Sequence, residues 1–296
     1  MPREDWSKLS TDLRFSETDQ KYPQYEYNAS TSNLVIKLMP TPVHDAIVPI
    51  FMNGFFRARD DLPEDIKWSA TLSTNENFND FAGEYSGSQK VTDLNFMVED
   101  ASGTDQPRFI LEIGHSETYE ELLEDAKLWL NGNHNVSVVV LVKLIETPAY
   151  HCPLRHPDTN DRIRLGIPAG PSQLRGEDFL MAGEYGPITY RGLTWMGKMS
   201  EVFMEVWRRD LTSGVLVQEG PRIDLLSPAA NLSHVTFQRS DFVPIQPIHD
   251  NTIRFEWQEF HHQLKKAMRR LAVFRCRQMI NITGEISTDR LVDIVI

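Results

Sequence analysis

Short apolar runs separated by turn residues organise the first half of this chain. Residues 33–38 (Asn-Leu-Val-Ile-Lys-Leu) and 68–72 (Trp-Ser-Ala-Thr-Leu) predict strands. Residues 91–98 alternate apolar and polar positions until Met97, the two-residue period of a half-buried strand. A turn containing Gly, Asp and Pro at 100–107 leads into a strand over 109–113, and 136–145 is the most β-rich run of the chain. Helical signals lie between these strands. Thr41-Pro42 predicts a helix start, with Val43, Ile47, Ile50, Phe51 and Phe55 on its apolar side, although Pro49 should kink that helix or end its first segment. Thr118-x-x-Glu121 is a capping box. It predicts a helix from about Tyr119, with a buried stripe of Tyr119, Leu122, Leu123, Ala126, Trp129 and Leu130, stopped by Asn131-Gly132-Asn133.

The second half is less regular. Residues 146–192 are rich in proline and glycine and predict a long excursion or small subdomain. Strands are expected at 199–207 and 235–237, and a long helix at 252–280. The resulting organisation is a polar N-terminal arm over 1–32, then one domain over 33–296. That domain has a core at about 40–145, an irregular insertion at about 146–195, and C-terminal strands and a basic helix over 196–296. Strand, strand, helix, strand defines an α/β class (α+β in its mixed sheet), with helices flanking a central mixed β-sheet.

Composition narrows the function classes. With 296 residues, 41% hydrophobic and 24% charged, the chain can bury a substantial core. No run approaches eighteen apolar residues, so no transmembrane helix is expected. The start, Met1-Pro2-Arg3-Glu4-Asp5-Trp6, carries acids where a signal peptide needs a basic region, which predicts a cytoplasmic or nuclear protein. Cys152 and Cys276 are too few for a disulfide framework or a zinc site. A net charge of −12 argues against a general nucleic-acid coat, yet residues 254–278 hold seven Lys/Arg against Glu256 and Glu259. On a helix there, Trp257, Phe260, Leu264, Met268 and Leu271 pack, with Phe274 or Arg275 ending the row. Lys265, Lys266, Arg269 and Arg270 then face outward, where they either track a DNA or RNA backbone or simply solvate the helix.

Two acids carry the candidate chemistry. Asp93 stands in Lys90-Val91-Thr92-Asp93, and Glu112 lies within Phe109-Ile110-Leu111-Glu112-Ile113-Gly114. A carboxylate inside such an apolar run is costly to bury alone, so Glu112 requires a cation or a hydrogen-bond donor. If the two runs are neighbouring strands, both acids reach one end of a sheet.

These segments, with Met39-Pro40-Thr41-Pro42-Val43-His44-Asp45 and the stretch from His115 to Leu130, resemble the PD-(D/E)XK nuclease superfamily, specifically its fungal restriction-endonuclease-like proteins. The similarity covers roughly residues 45–145. It implies a restriction-endonuclease-like core and a metal-dependent nuclease hydrolysing DNA or RNA phosphodiesters. Asp93 and Glu112 would be the Mg²⁺ (or Mn²⁺) ligands, and Asp45 a helix-borne acid of the site. Two departures stand out. The family's Pro-Asp is Thr92-Asp93 here, and its Glu-x-Lys is Glu112-Ile113-Gly114, without the lysine. Lys127 on the following helix is the expected substitute. The alternative is a catalytically inactive nuclease-fold module that binds protein or nucleic acid.

Overall fold

The computed structural model describes residues 1–12, 23–154, 159–210, 212–243 and 252–285. The chain divides into two compact units, one of residues 1–144 and 201–261, the other of 145–200 and 262–296. In chain order the elements are α1 (Arg3–Asp12), the hairpin β1 (Gln24–Asn28) and β2 (Asn33–Lys37), then α2 (Val48–Asp60), α3 (Glu64–Lys67) and β3 (Ala70–Ser73). There follow β4 (Asn77–Phe78), β5 (Lys90–Val91), β6 (Leu94–Glu99), β7 (Asp105–Gly114), α4 (Tyr119–Gly132) and β8 (Val138–Thr147). The excursion holds α5 (Thr159–Leu165), β9 (Leu180–Met181), β10 (Ile188–Tyr190) and β11 (Leu193–Met196). The chain returns through β12 (Lys198–Arg209), β13 (Leu216–Gln218), β14 (Ile223–Asp224), β15 (Thr236–Gln238), β16 (Thr252–Arg254) and α6 (Trp257–Glu285).

The central sheet is mixed, as the pattern predicted. Its order is β13-β12-β8-β7-β6-β3, with β14 also on β12. Strands β3, β6 and β7 run antiparallel in succession, and β8 joins β7 in parallel after the α4 crossover. No helix among the described residues is long and apolar enough to cross a membrane.

Alternation along β7 sends its side chains to two different cores. Phe109 faces α2, where Phe51 and Phe55 meet it at ring-centroid distances of 6.0 and 4.8 Å, and Phe96, Phe242 and Phe255 complete the aromatic packing. Gly54 sits in that contact, where an added Cβ would come 2.7 Å from the Phe255 ring. Ile110 faces the other way, into a cluster with Leu122, Ala126, Trp129, Val139 and Leu141. In α4 the Thr118 hydroxyl accepts from the Glu121 N–H while the Glu121 carboxylate accepts from the Thr118 N–H, the reciprocal cap expected from the sequence.

Three boundaries differ from the sequence expectations. The helix expected at Thr41-Pro42 begins at Val48 after a short 3₁₀ turn, His44–Ala46, and Pro49 lies in its first turn. A proline there loses no intrahelical bond, because first-turn N–H groups have no carbonyl partner, so it starts the helix instead of kinking it. The expected strand over 91–98 is two strands separated at Thr92 and Asp93. The long helix expected from 252 starts at Trp257, since Thr252–Arg254 pairs with Thr236–Gln238 as a strand. Residues 1–32 contain α1 and β1, with Trp6 stacked on Tyr27 at 5.2 Å.

In the unit of 145–200 and 262–296, β9, β10 and β11 form a small antiparallel sheet. The fork of Arg275 binds both oxygens of Glu146 at 2.8 and 2.7 Å, and Trp195 is fully buried. This accounts for Arg275 in the packing row of the helix, where Phe274 is instead exposed.

Because Phe55 is the ring that joins α2 to Phe96, Phe109, Phe242 and Phe255, Phe55→Ala is expected to lower the unfolding free energy by about 3–5 kcal/mol. Urea denaturation measures this, and a loss below about 1 kcal/mol would show that the aromatic core does not hold α2.

Candidate functional site

The break between β5 and β6 positions Asp93. The bend is held by a Thr92 hydroxyl that accepts from the Asn95 side chain at 2.8 Å, and by backbone bonds from Thr92 to Glu76 and from Asn75 to Thr92. Strand β6 pairs with β7 through Leu94↔Leu111, so the same register carried one step further sets Asp93 opposite Glu112. The two acids therefore lie at the same sheet end, Asp93 in the bend before β6 and Glu112 on β7.

Asp93 is tightly held. One carboxylate oxygen accepts the Ile113 N–H at 2.6 Å and the other contacts His44 Nε2 at 3.1 Å. The second His44 nitrogen, Nδ1, meets Asp45 at 3.1 Å. With a carboxylate at each nitrogen, His44 is an imidazolium. Burial works against its charge, but Asp93 and then Asp45 push its pKa up to about 10. Burial likewise opposes ionisation of Asp93, and His44, Lys37 and the Ile113 N–H overcome it, holding that carboxyl well below the usual range. Asp45, the acid expected on the helix, belongs to the 3₁₀ turn and acts on Asp93 through His44.

Glu112 is 1% exposed and finds the partners its burial demands. Trp129 on α4 donates its indole N–H to one oxygen at 2.7 Å. The other oxygen lies 4.0 Å from Lys37 and 3.9 Å from Lys90. Both lysines make shorter contacts elsewhere, Lys37 to Glu26 at 2.8 Å and Lys90 to Glu26 at 2.7 Å and Asp125 at 2.5 Å. Glu112 thus receives only the residue of their charge. Burial raises its pKa well above the ordinary value, Lys90 and Lys37 only partly offset this, and Asp93 and Asp125 add to it. Glu26 goes the other way: despite burial, its two close lysines hold it low. Asp125 is raised, first by burial, and Glu117 is raised to about 7 by burial and by Asp125.

The network holds five carboxyl groups (Glu26, Asp93, Glu112, Glu117, Asp125) against three basic groups (Lys37, His44, Lys90). Burial first, and that excess second, make three of the acids hold their protons more tightly. A cleft of about 510 Å³ opens beside it, lined by Lys37, Thr41, His44, Asp93, His115, Ser116 and Glu117 among others. A second cavity of about 390 Å³ lies against Glu26, Lys90, Glu124 and Asp125. Among the described residues, no group of three His, Cys, Asp or Glu side chains is arranged to hold a metal ion.

Lys127 is not the cation beside Glu112. It pairs with Glu124 at 2.5 Å on its own helix and is 42% exposed. Lys37 and Lys90 take that place. Their signal in the sequence was a lone lysine inside an apolar run (Leu34-Val35-Ile36-Lys37-Leu38) and another three residues before Asp93. At Gly114, where a Glu-x-Lys motif would carry its lysine, an added Cβ would stand 3.0 Å from the Glu117 side chain and 3.3 Å from Leu122. Glu117 fills that space, on a loop whose His115 and Glu117 carbonyls accept from Lys143. On α6, Lys266, Arg269 and Arg270 are exposed, while Lys265 bonds Glu184 at 2.7 Å.

A scan against protein-family models and a search of curated proteins gave no match to this chain.

The raised pKa of His44 has a definite sign. A group whose pKa rises on folding contributes fully below its unfolded value, near 6.5, and loses that contribution as pH climbs toward about 10. Urea unfolding from pH 6 to 10 should therefore show stability falling with pH, and His44→Ala should flatten this limb while lowering stability at pH 6. Parallel curves for the two proteins would mean that His44 carries no extra proton.

Proposed function

We propose that this protein is a metal-dependent nuclease-like enzyme acting on DNA or RNA phosphodiesters at Asp93 and Glu112. The observation that carries the reading is the bond from the Ile113 N–H to Asp93, which holds this cleft-lining acid beside the β7 residue next to Glu112. The succession of α2, three antiparallel strands, α4 and a parallel strand agrees with the nuclease-like core that the sequence resembles. Carboxylate oxygens are the donor type that Mg²⁺ or Mn²⁺ takes, each an ion that keeps several waters and takes phosphate oxygens. Here such an ion would have to displace the proton that Glu112 tends to hold and compete with His44 for Asp93. When bound, such an ion supplies positive charge at the phosphate and acidifies a water.

The remaining work falls to the chain's own side chains. His44 and the Ile113 N–H keep Asp93 ionised and oriented. Trp129 fixes Glu112 on its strand. Lys37 lines the cleft near both acids and is kept protonated by Glu26, Asp93 and Glu112, against burial and the repulsion of Lys90. It supplies the cation that Gly114 cannot, positioned to stabilise charge on a phosphate.

A specific observation favours a second reading. Lys90 is 3% exposed and, with Lys37, already brings internal positive charge to Glu112, so the network also fits a non-catalytic module of the same fold. Calorimetric Mn²⁺ titration and cleavage of single- and double-stranded DNA and RNA separate the two. For the enzyme, metal binding disappears in Asp93→Asn, and Lys37→Ala slows cleavage at least tenfold, about 1.4 kcal/mol of barrier. Lys127→Ala leaves the rate unchanged. A folded protein that neither binds Mn²⁺ nor cleaves any of these substrates is the non-catalytic module.

The outer face of α6 is the proposed nucleic-acid contact. Replacing Lys266, Arg269 and Arg270 with Ala should weaken binding and reduce the salt slope by about one log-log unit per lost phosphate contact. Binding at low salt that is indifferent to these changes would leave them as solvating charges.

A further inference from the structure

We propose that Cys152 and Cys276 form a redox-sensitive thiol pair, closing to a disulfide that ties the segment after β8 to α6. They are the two cysteines of the chain, both are free thiols, and both belong to the unit of residues 145–200 and 262–296. The segments that carry them touch through side chains. The Arg275 guanidinium lies over the Tyr150 ring at 3.9 Å, and these residues stand one position before Cys276 and two before Cys152. Arg275 is itself fixed by its fork to Glu146 and by a bond to the Trp195 carbonyl at 3.3 Å, so this turn of α6 is anchored to the strand leading into the Cys152 segment.

The thiols differ in ways that suit a sequential reaction. Cys152 is half-buried, while Cys276 is fully buried. Burial above all, and then the charge of Cys152, push the Cys276 thiol up to about 12. Cys152 is therefore the thiol that meets an oxidant, and a small-molecule disulfide such as oxidised glutathione is the class required. The Cys152 thiolate attacks one sulfur of that disulfide, forming a mixed disulfide and releasing one thiolate. The released small-molecule thiolate serves as the base for the second thiol. It takes the Cys276 proton, and Cys276 attacks the Cys152 sulfur, expelling the second small-molecule thiolate. Overall, two protein thiols and one disulfide yield one protein disulfide and two thiols.

Incubation of the full chain with a graded oxidised-to-reduced glutathione series tests this. The expected product is a monomer lighter by two hydrogens, with a peptide linking Cys152 to Cys276, no thiol reactive under denaturing conditions and a raised melting midpoint. Cys276→Ala should stop at a glutathione adduct on Cys152. Cys152→Ser, altered at a half-buried position and thus a safeguard should Cys276→Ala misfold, should remain unmodified. Two free thiols under the most oxidising ratio, a lasting Cys152 adduct with Cys276 free, or cross-linked dimers would each overturn the proposal.

Discussion

The burial of one carboxyl group organises the candidate site. Glu112 belongs to a strand flanked by packed cores on both faces, and a carboxylate there cannot persist without partners. Trp129 answers one oxygen from α4, and Lys37 and Lys90 answer the other from β2 and β5. Those lysines need counter-charges of their own, which brings in Glu26 and Asp125. The hairpin of β1 and β2, the short strand β5 and the helix α4 are thus tied to the sheet end by a single electrostatic requirement. Removing one member would leave the others buried and unbalanced, a cost of several kcal/mol for buried ion pairs.

The network is graded rather than uniform. Asp93 and Glu26 are held ionised by their cations against burial, whereas burial first, and neighbouring acids second, push Glu112, Asp125 and Glu117 toward their neutral forms. Two neighbouring acids held in opposite protonation tendencies are what divided acid and base roles require, and such contrasts also arise in purely structural networks. Distance to one lysine does not set the contrast, since Asp125 lies 2.5 Å from Lys90 and is still raised by burial; Glu26 is held low because Lys90 and Lys37 both bind it, at 2.7 and 2.8 Å.

Local rules made much of the core legible. The capping box at Thr118 places α4, the β-branched run at 136–145 places β8, and the need of Glu112 for a donor or cation was apparent from its apolar setting. Which groups would meet that need was not legible. Trp129 read as core, and it is core, but its N–H also reaches Glu112. Lys37 and Lys90 are 75 and 22 residues away from Glu112 in sequence, brought in by strand pairing and chain reversal that no short-range period encodes. Lys127 had the better sequence argument, being on the adjacent helix. It lost because Glu124 lies one helical turn before it, and a neighbour three residues away satisfies an exposed ammonium without any tertiary contact. The strand before 257, in a stretch that reads as helix, was not legible for a similar reason: Thr252–Arg254 is a strand only because Thr236–Gln238 offers it an edge.

Gly114 shows how the site departs from a Glu-x-Lys arrangement without losing its positive charge. The space beside that glycine is taken by Glu117, so a lysine introduced there would have to displace an acid from a loop braced by Lys143. Charge delivered from β2 instead arrives on a hairpin, at the rim of the cleft, with Glu26 anchoring it from behind. Such a lysine can serve an incoming phosphate only to the extent that Glu26 and Glu112 leave its outer hydrogens free. Its 23% side-chain exposure, against 3% for Lys90, makes Lys37 the member of the pair able to do so. Lys90 is sealed among acids and is structural in either reading of the protein. The division of labour between a buried lysine that neutralises and a rim lysine that faces the cleft is therefore the feature on which the proposed catalysis would depend.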